Sequence, residues 1–202
     1  MPRALRDQSA GIRHIVCRGN RRQAIFLDEV DRRRYLGLLE EACAHYGWRI
    51  AGYCLMRNHV HLVADVRAGT ISGGMQWVSG QYGQLFNRRH RETGHLFQGR
   101  FRAEIVEDEA YALEVVRYVD LNPVHACVVR RPVDWLWSSH RALVGLDAPL
   151  PFHDIDGTLR LFSANRDAAQ THYAKYVAER LRRRNPQPTD MSSRPNRGQT
   201  PG

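Results

Sequence analysis

The chain has 202 residues, 43% hydrophobic and 25% charged, a balance that excludes wholesale disorder and suffices for one packed domain plus an appendage. No apolar run approaches the roughly 18 residues of a membrane span, and no apolar stretch follows the charged N-terminus; a cytoplasmic protein without membrane contact is expected. The net charge of +9 favours a polyanionic partner, most readily nucleic acid, although Lys175 is the single lysine and an arginine bias also arises from base composition alone.

Along the chain, His14–Arg18 reads as a short strand closed by the turn residues Gly19 and Asn20. Asp28 to about Tyr46 reads as a helix. Asp28 caps it, Glu29 and Asp31 suit its first turn, Tyr35, Leu38, Leu39 and Ala42 share a face, and Gly47 stops it. Trp48–Met56 and His59–Val66 read as a hairpin joined by Arg57 and Asn58. Ile71 to about Arg91 is helical, with a core stripe of Met75, Val78, Tyr82, Leu85 and Phe86. A polar loop over 92–100 leads to a fourth strand, Phe101–Glu107. Asp108 then caps a helix from Glu109 to about Asn122, which Pro123 should halt.

This β-α-β-β-α-β-α order predicts an α+β fold. The expected form is a ferredoxin-like (RRM-like) antiparallel sheet with helices on one face, the other face free for a ligand. After Pro132 the chain changes character: Ser138 and Ser139 can cap a short helix to Val144, residues 157–162 can form a helical turn, and 166–184 is an amphipathic helix ending in Arg182, Arg183 and Arg184. These form a C-terminal helical extension. The proline-rich tail 185–202 has no core residues and reads as disordered. Cys17, Cys43, Cys54 and Cys127 lack metal-site spacing and read as buried free thiols.

Two features carry chemistry. His59 and His61 alternate on one strand, so their imidazoles project from one face about 7 Å apart and can grip a divalent cation. Such a pair is also compatible with an incidental placement. Tyr118 and Asn122 stand at i and i+4 on one helical face. They suit a nucleophile and an amide ligand, or equally a tyrosine packed on the sheet and a helix-end asparagine that Pro123 pushes out of helical geometry. Arg100 and Arg102 can share a face for DNA contact or for surface ion pairs, and Arg182–Arg184 is either a solvated helix end or a phosphate clamp. His14, His90, His95 and His140 show no ligand partner and read as structural or surface residues.

Taken together, the motifs resemble the single-tyrosine HUH endonuclease-transposase family (two histidines flanking a hydrophobic residue). The nearer match is its REP-associated tyrosine transposases, related to the transposases of small insertion sequences. The resemblance spans roughly residues 10–145. It rests on Arg18-Gly19-Asn20, Tyr53–Met56 with Asn58-His59-Val60-His61-Leu62, Gly94–Arg100, Arg117–Val124, and Trp137-Ser138-Ser139. It divides the chain into a transposase domain over 10–145, a helical extension over 146–184 and the tail 185–202. It implies a Mg²⁺ or Mn²⁺ ion on His59, His61 and Asn122, and Tyr118 as the nucleophile that forms a 5′-phosphotyrosine on single-stranded DNA. Palindromic REP-like hairpins are the implied substrate, nicked and rejoined by a monomer or homodimer. The matched motifs also put Arg18, Asn58 and Arg100 against DNA, and Arg102, two positions beyond Arg100, is a further candidate on the same face.

The chain departs from the family pattern at Arg57, often Pro or Ser, and at His125-Ala126-Cys127, usually Arg-Ala-Gly. His125 thereby becomes the candidate for the missing arginine's phosphate contact. A replication initiator or relaxase with the same site is a second reading. A non-catalytic nucleic-acid-binding module, with Tyr53 and Phe101 stacking bases on the sheet, is a third.

Overall fold

The computed structural model describes residues 8–184; the tail 185–202, expected to be disordered, lies outside the described residues. Four strands, β1 (Gly11–Arg18), β2 (Arg49–Met56), β3 (His59–Val66) and β4 (Arg102–Ile105), form one sheet in the order β2-β3-β1-β4. Every pairing is antiparallel, as the ferredoxin-like α+β order requires. Helices α1 (Glu29–Tyr46) and α2 (Ile71–His90) follow β1 and β3. Asp28 caps α1 by accepting from the Asp31 amide at 3.1 Å, a contact worth about 1 kcal/mol.

Strand alternation splits the sheet into two faces. Ile15, Val60, Leu62 and Ala64 are buried beneath Tyr35, Leu39, Met75, Val78 and Tyr82, which are the stripes read from α1 and α2. Each large aliphatic side chain removed from water there contributes roughly 2 kcal/mol. The opposite face is narrower than expected. Cys54, Met56 and Val63 are covered by Ala112, Val115, Val116 and Val119 of α3 (Glu109–His125), so only the β1–β4 side stays open. Alternation told which residues leave the sheet on each side; what covers the second side is a tertiary choice. Gly52 makes the close approach possible, because a Cβ there would lie 3.1 Å from Val116 Cγ1.

Pro123 does not halt α3, which continues to His125. Pro123 donates no amide hydrogen bond to the preceding turn, but Leu121, Asn122 and Pro123 are buried, and the Ala126 and Val128 amides close the end onto Asn122 O and Pro123 O, both at 2.9 Å. Burial outweighs the lost bond, and Asn122 keeps its helical place one turn beyond Tyr118. Cys127 corrects another expectation: it is exposed, at φ 57°, while Cys17, Cys43 and Cys54 are buried.

The C-terminal elements α4 (His140–Leu143), α5 (Ile155–Leu159) and α6 (Arg166–Arg184) complete the second core. Leu143, Ile155, Tyr173 and Val177 join Val116 and Val119 in one cluster. Among the described residues, no helix is long and apolar enough to cross a membrane.

Candidate functional site

β3 starts at His59, and His59 and His61 leave the sheet on the face that α3 overhangs. The His59 and His61 rings lie 4.9 Å apart between centroids, nearly perpendicular. The Tyr118 ring meets His61 edge-on at 5.9 Å and remains 47% exposed. His61 and the phenol therefore share the rim of one open cleft of about 670 Å³, lined by His14, Arg18, His61, Arg100, Arg102 and Tyr118 among others, with His59 packed beside His61. Asn122 lies behind this rim, 9% exposed.

Asn58 is committed within the protein. Its Nδ2 donates to Arg22 O at 3.0 Å, so its Oδ1 is the atom facing His59 Nδ1 at 2.7 Å. In the neutral ring, Nδ1 then carries the proton and Nε2 the lone pair. Gly19 builds this corner: its amide donates to Asn58 O at 2.9 Å, and a Cβ on it would fall 2.2 Å from Gln23 O. The Asn122 side chain also lies beside the His59 ring and raises its proton affinity. Asn122 Nδ2 is buried without a partner. Asn122 therefore brings a buried carboxamide with unused hydrogen-bonding capacity to the His59 ring, a neutral polar group of the kind that can join imidazoles on a cation.

Electrostatics keep the imidazoles neutral. Burial, then repulsion from His59, His14 and Arg18, lowers His61 to about 3. Burial and the Arg18 charge lower His59, with Asn122 opposing. Neutral imidazole is the metal-ligating form. Among the described residues, no cluster of three or more His, Cys, Asp or Glu side chains is arranged to hold a metal; the candidate set is two imidazoles and one carboxamide.

Arg18, Arg100 and Arg102 are exposed and line the cleft, and Arg102 also lies 3.7 Å from Glu104. His125 is half-buried, its ring 6.2 Å from that of Tyr118. Arg182 is exposed on α6 and does not line this cleft. Tyr53 and Phe101, candidate base-stacking residues, are instead buried in the core beneath α1 and α2, where no base reaches them.

Two cleft residues escaped the sequence reading. Tyr111 lies two helical turns before Tyr118, a spacing that places both on one face. His14, read as structural or surface, has its Nε2 3.0 Å from His61 Nδ1. Its signal is parity: His14, Val16 and Arg18 leave β1 on one side, and Val16 pairs with His61.

A family model described as "Transposase IS200 like" matches residues 8–122. The fold is similar to that of a REP-associated tyrosine transposase bound to a REP hairpin, at TM-score 0.60 and 18% identity over 74% of this chain and 89% of that one. A putative transposase from Deinococcus radiodurans aligns at TM-score 0.41 and 15% identity, over 59% of this chain and 96% of that one. No curated protein sequence matches the chain.

Proposed function

The chain belongs to the IS200-like transposase family, and from that premise we propose a metal-dependent single-stranded DNA nuclease and strand transferase in which Tyr118 is the nucleophile and His59, His61 and Asn122 hold a Mg²⁺ or Mn²⁺ ion. One observation carries the proposal: a half-exposed phenol edge-on to His61, whose neutral imidazole adjoins that of His59, with the Asn122 carboxamide beside the His59 ring. A folded single strand is the proposed substrate, supported by the REP hairpin held by the similar REP-associated tyrosine transposase.

A phosphodiester repels nucleophiles because it is an anion. A divalent ion, when bound, neutralises a non-bridging oxygen and the charge that grows on it in the transition state. His59 and His61 suit that ion because burial keeps them unprotonated, and because neutral N and O donors leave a cation more electrophilic than carboxylates do. Tyr118 Oη attacks phosphorus as the phenolate. A Tyr–O–P bond forms, the bond to the 3′-oxygen breaks, and the departing 3′-oxygen takes a proton, leaving a 5′-phosphotyrosine and a free 3′-hydroxyl. A second 3′-hydroxyl reverses the exchange, so strand joining needs no nucleotide cofactor.

Arg18, Arg100 and Arg102 supply positive charge along the cleft for the phosphates, and His125, beside Tyr118, is the candidate for a flanking-phosphate contact. Asn58, with both ends of its amide engaged, serves to orient His59 rather than to bind DNA.

Tyr118→Phe tests the nucleophile. The variant should lose nicking of a hairpin oligonucleotide with unpaired flanks, down to the metal-free background, while binding that oligonucleotide as the wild type does. A Phe variant that still nicks would overturn the assignment.

A further inference from the structure

His14 Nε2 and His61 Nδ1 are 3.0 Å apart, and the two ring planes are within 13° of parallel. The ring centroids are 5.2 Å apart. That is close to the separation obtained when both nitrogens lie on the line joining the ring centres. Two imidazoles aimed at a shared ion would bend away from that line and bring their centroids closer. The contact is therefore an in-line hydrogen bond in which one ring donates and the other accepts.

The neighbours decide its direction. On β4, Glu104 is the direct cross-strand partner of His14 and leaves the sheet on the same face, into the same cleft. The Glu104 charge draws a proton to the His14 ring, and with Nε2 engaged by His61 the free nitrogen that can hold it is Nδ1, which leaves Nε2 as the acceptor. His61 then donates from Nδ1.

The geometry points to His14 as a positioning residue: it accepts the Nδ1–H of His61 and holds that imidazole in the tautomer whose Nε2 carries the lone pair. The two histidines of the pair are thereby oriented by the same device. Asn58 occupies Nδ1 of His59, and His14 occupies Nδ1 of His61. An outer hydrogen bond of this type fixes a ligand's ring and tautomer, and losing one typically costs about 10- to 100-fold in metal affinity. The metal consequence rests on the function proposed above; the tautomer does not.

Two readouts separate them. Long-range ¹H–¹⁵N correlation spectra of the metal-free protein near neutral pH should show His61 protonated on Nδ1. In His14→Phe, which keeps a flat ring but cannot accept the bond, His61 should shift toward the Nε2–H form. A wild-type His61 protonated on Nε2, or a tautomer unmoved in His14→Phe, overturns the inference.

Manganese titration followed by electron paramagnetic resonance supplies the second readout. His14→Phe should weaken Mn²⁺ binding about tenfold or more. His14→Gln, whose amide oxygen can accept, should recover most of the loss, with melting temperatures unchanged in both. Wild-type and Phe variants binding Mn²⁺ equally would overturn the positioning role while leaving the metal reading intact. A wild type that binds no Mn²⁺, yet shows the Nδ1–H tautomer, would remove the metal reading and leave the hydrogen bond standing.

Discussion

His61 is where burial and chemistry meet most directly. It is 5% exposed, and burial is the largest cause of its fall from the ordinary 6.5 to about 3; His14 and His59 shift the same way. Below about 6.5 the unfolded chain takes up protons that the folded protein refuses. Stability is therefore complete above that pH and is lost as pH falls toward 3. Between pH 6.5 and 5, His61 alone accounts for up to about 2 kcal/mol. Metal-free protein should lose melting temperature over that interval, and His61→Gln, which has nothing to titrate, should lose less. Parallel melting curves for the two proteins would show that the buried imidazole does not set the acid limit.

At the scale of elements, α3 presents Tyr118 on one side and is anchored on the other. Between Tyr118 and Asn122, Asp120 is fully buried and accepts three hydrogen bonds: from Ser139 Oγ at 2.7 Å, His140 Nδ1 at 3.1 Å and Tyr173 Oη at 2.7 Å. Ser139, at the N-cap position of α4, thus gives its hydroxyl to Asp120 rather than to the helix. Arg117, stacked 3.9 Å over the Tyr176 ring, adds a second tie to α6. Residues after 145 therefore brace the helix that carries Tyr118. Tyr173→Phe leaves a buried carboxylate one donor short and should cost about 2 kcal/mol in urea unfolding, with the slope of the transition unchanged. Unchanged stability would mean that α6 leans on α3 without holding it.

At the scale of the molecule, a positive charge of +9 is combined with an arginine-lined cleft that stays open because α3 covers only the β2–β3 side of the sheet. Much of this was legible in the sequence because the signals are local. Alternation gave β3 its observed bounds, helical periodicity gave α6 its bounds, and Asp28 and Asp108 cap the helices they were read to cap. The resemblance brought His59, His61, Tyr118 and Asn122 into one constellation, and the fold places them together. Non-local features did not show. The pairing of Val16 with His61 brings His14 to the site, burial carries α3 past Pro123, and the packing of α3 across the second face was settled by tertiary contacts that no window of sequence contains.

Tyr111, 53% exposed, lines the same cleft as Tyr118, so two phenols are within reach of a bound strand. The decisive measurement is mass-spectrometric mapping of the peptide that carries nucleotide after the protein, with Mn²⁺, is trapped on a single-stranded suicide substrate. The adduct should sit on Tyr118; a nucleotide on Tyr111, or a cut strand with no protein attached, would contradict the account.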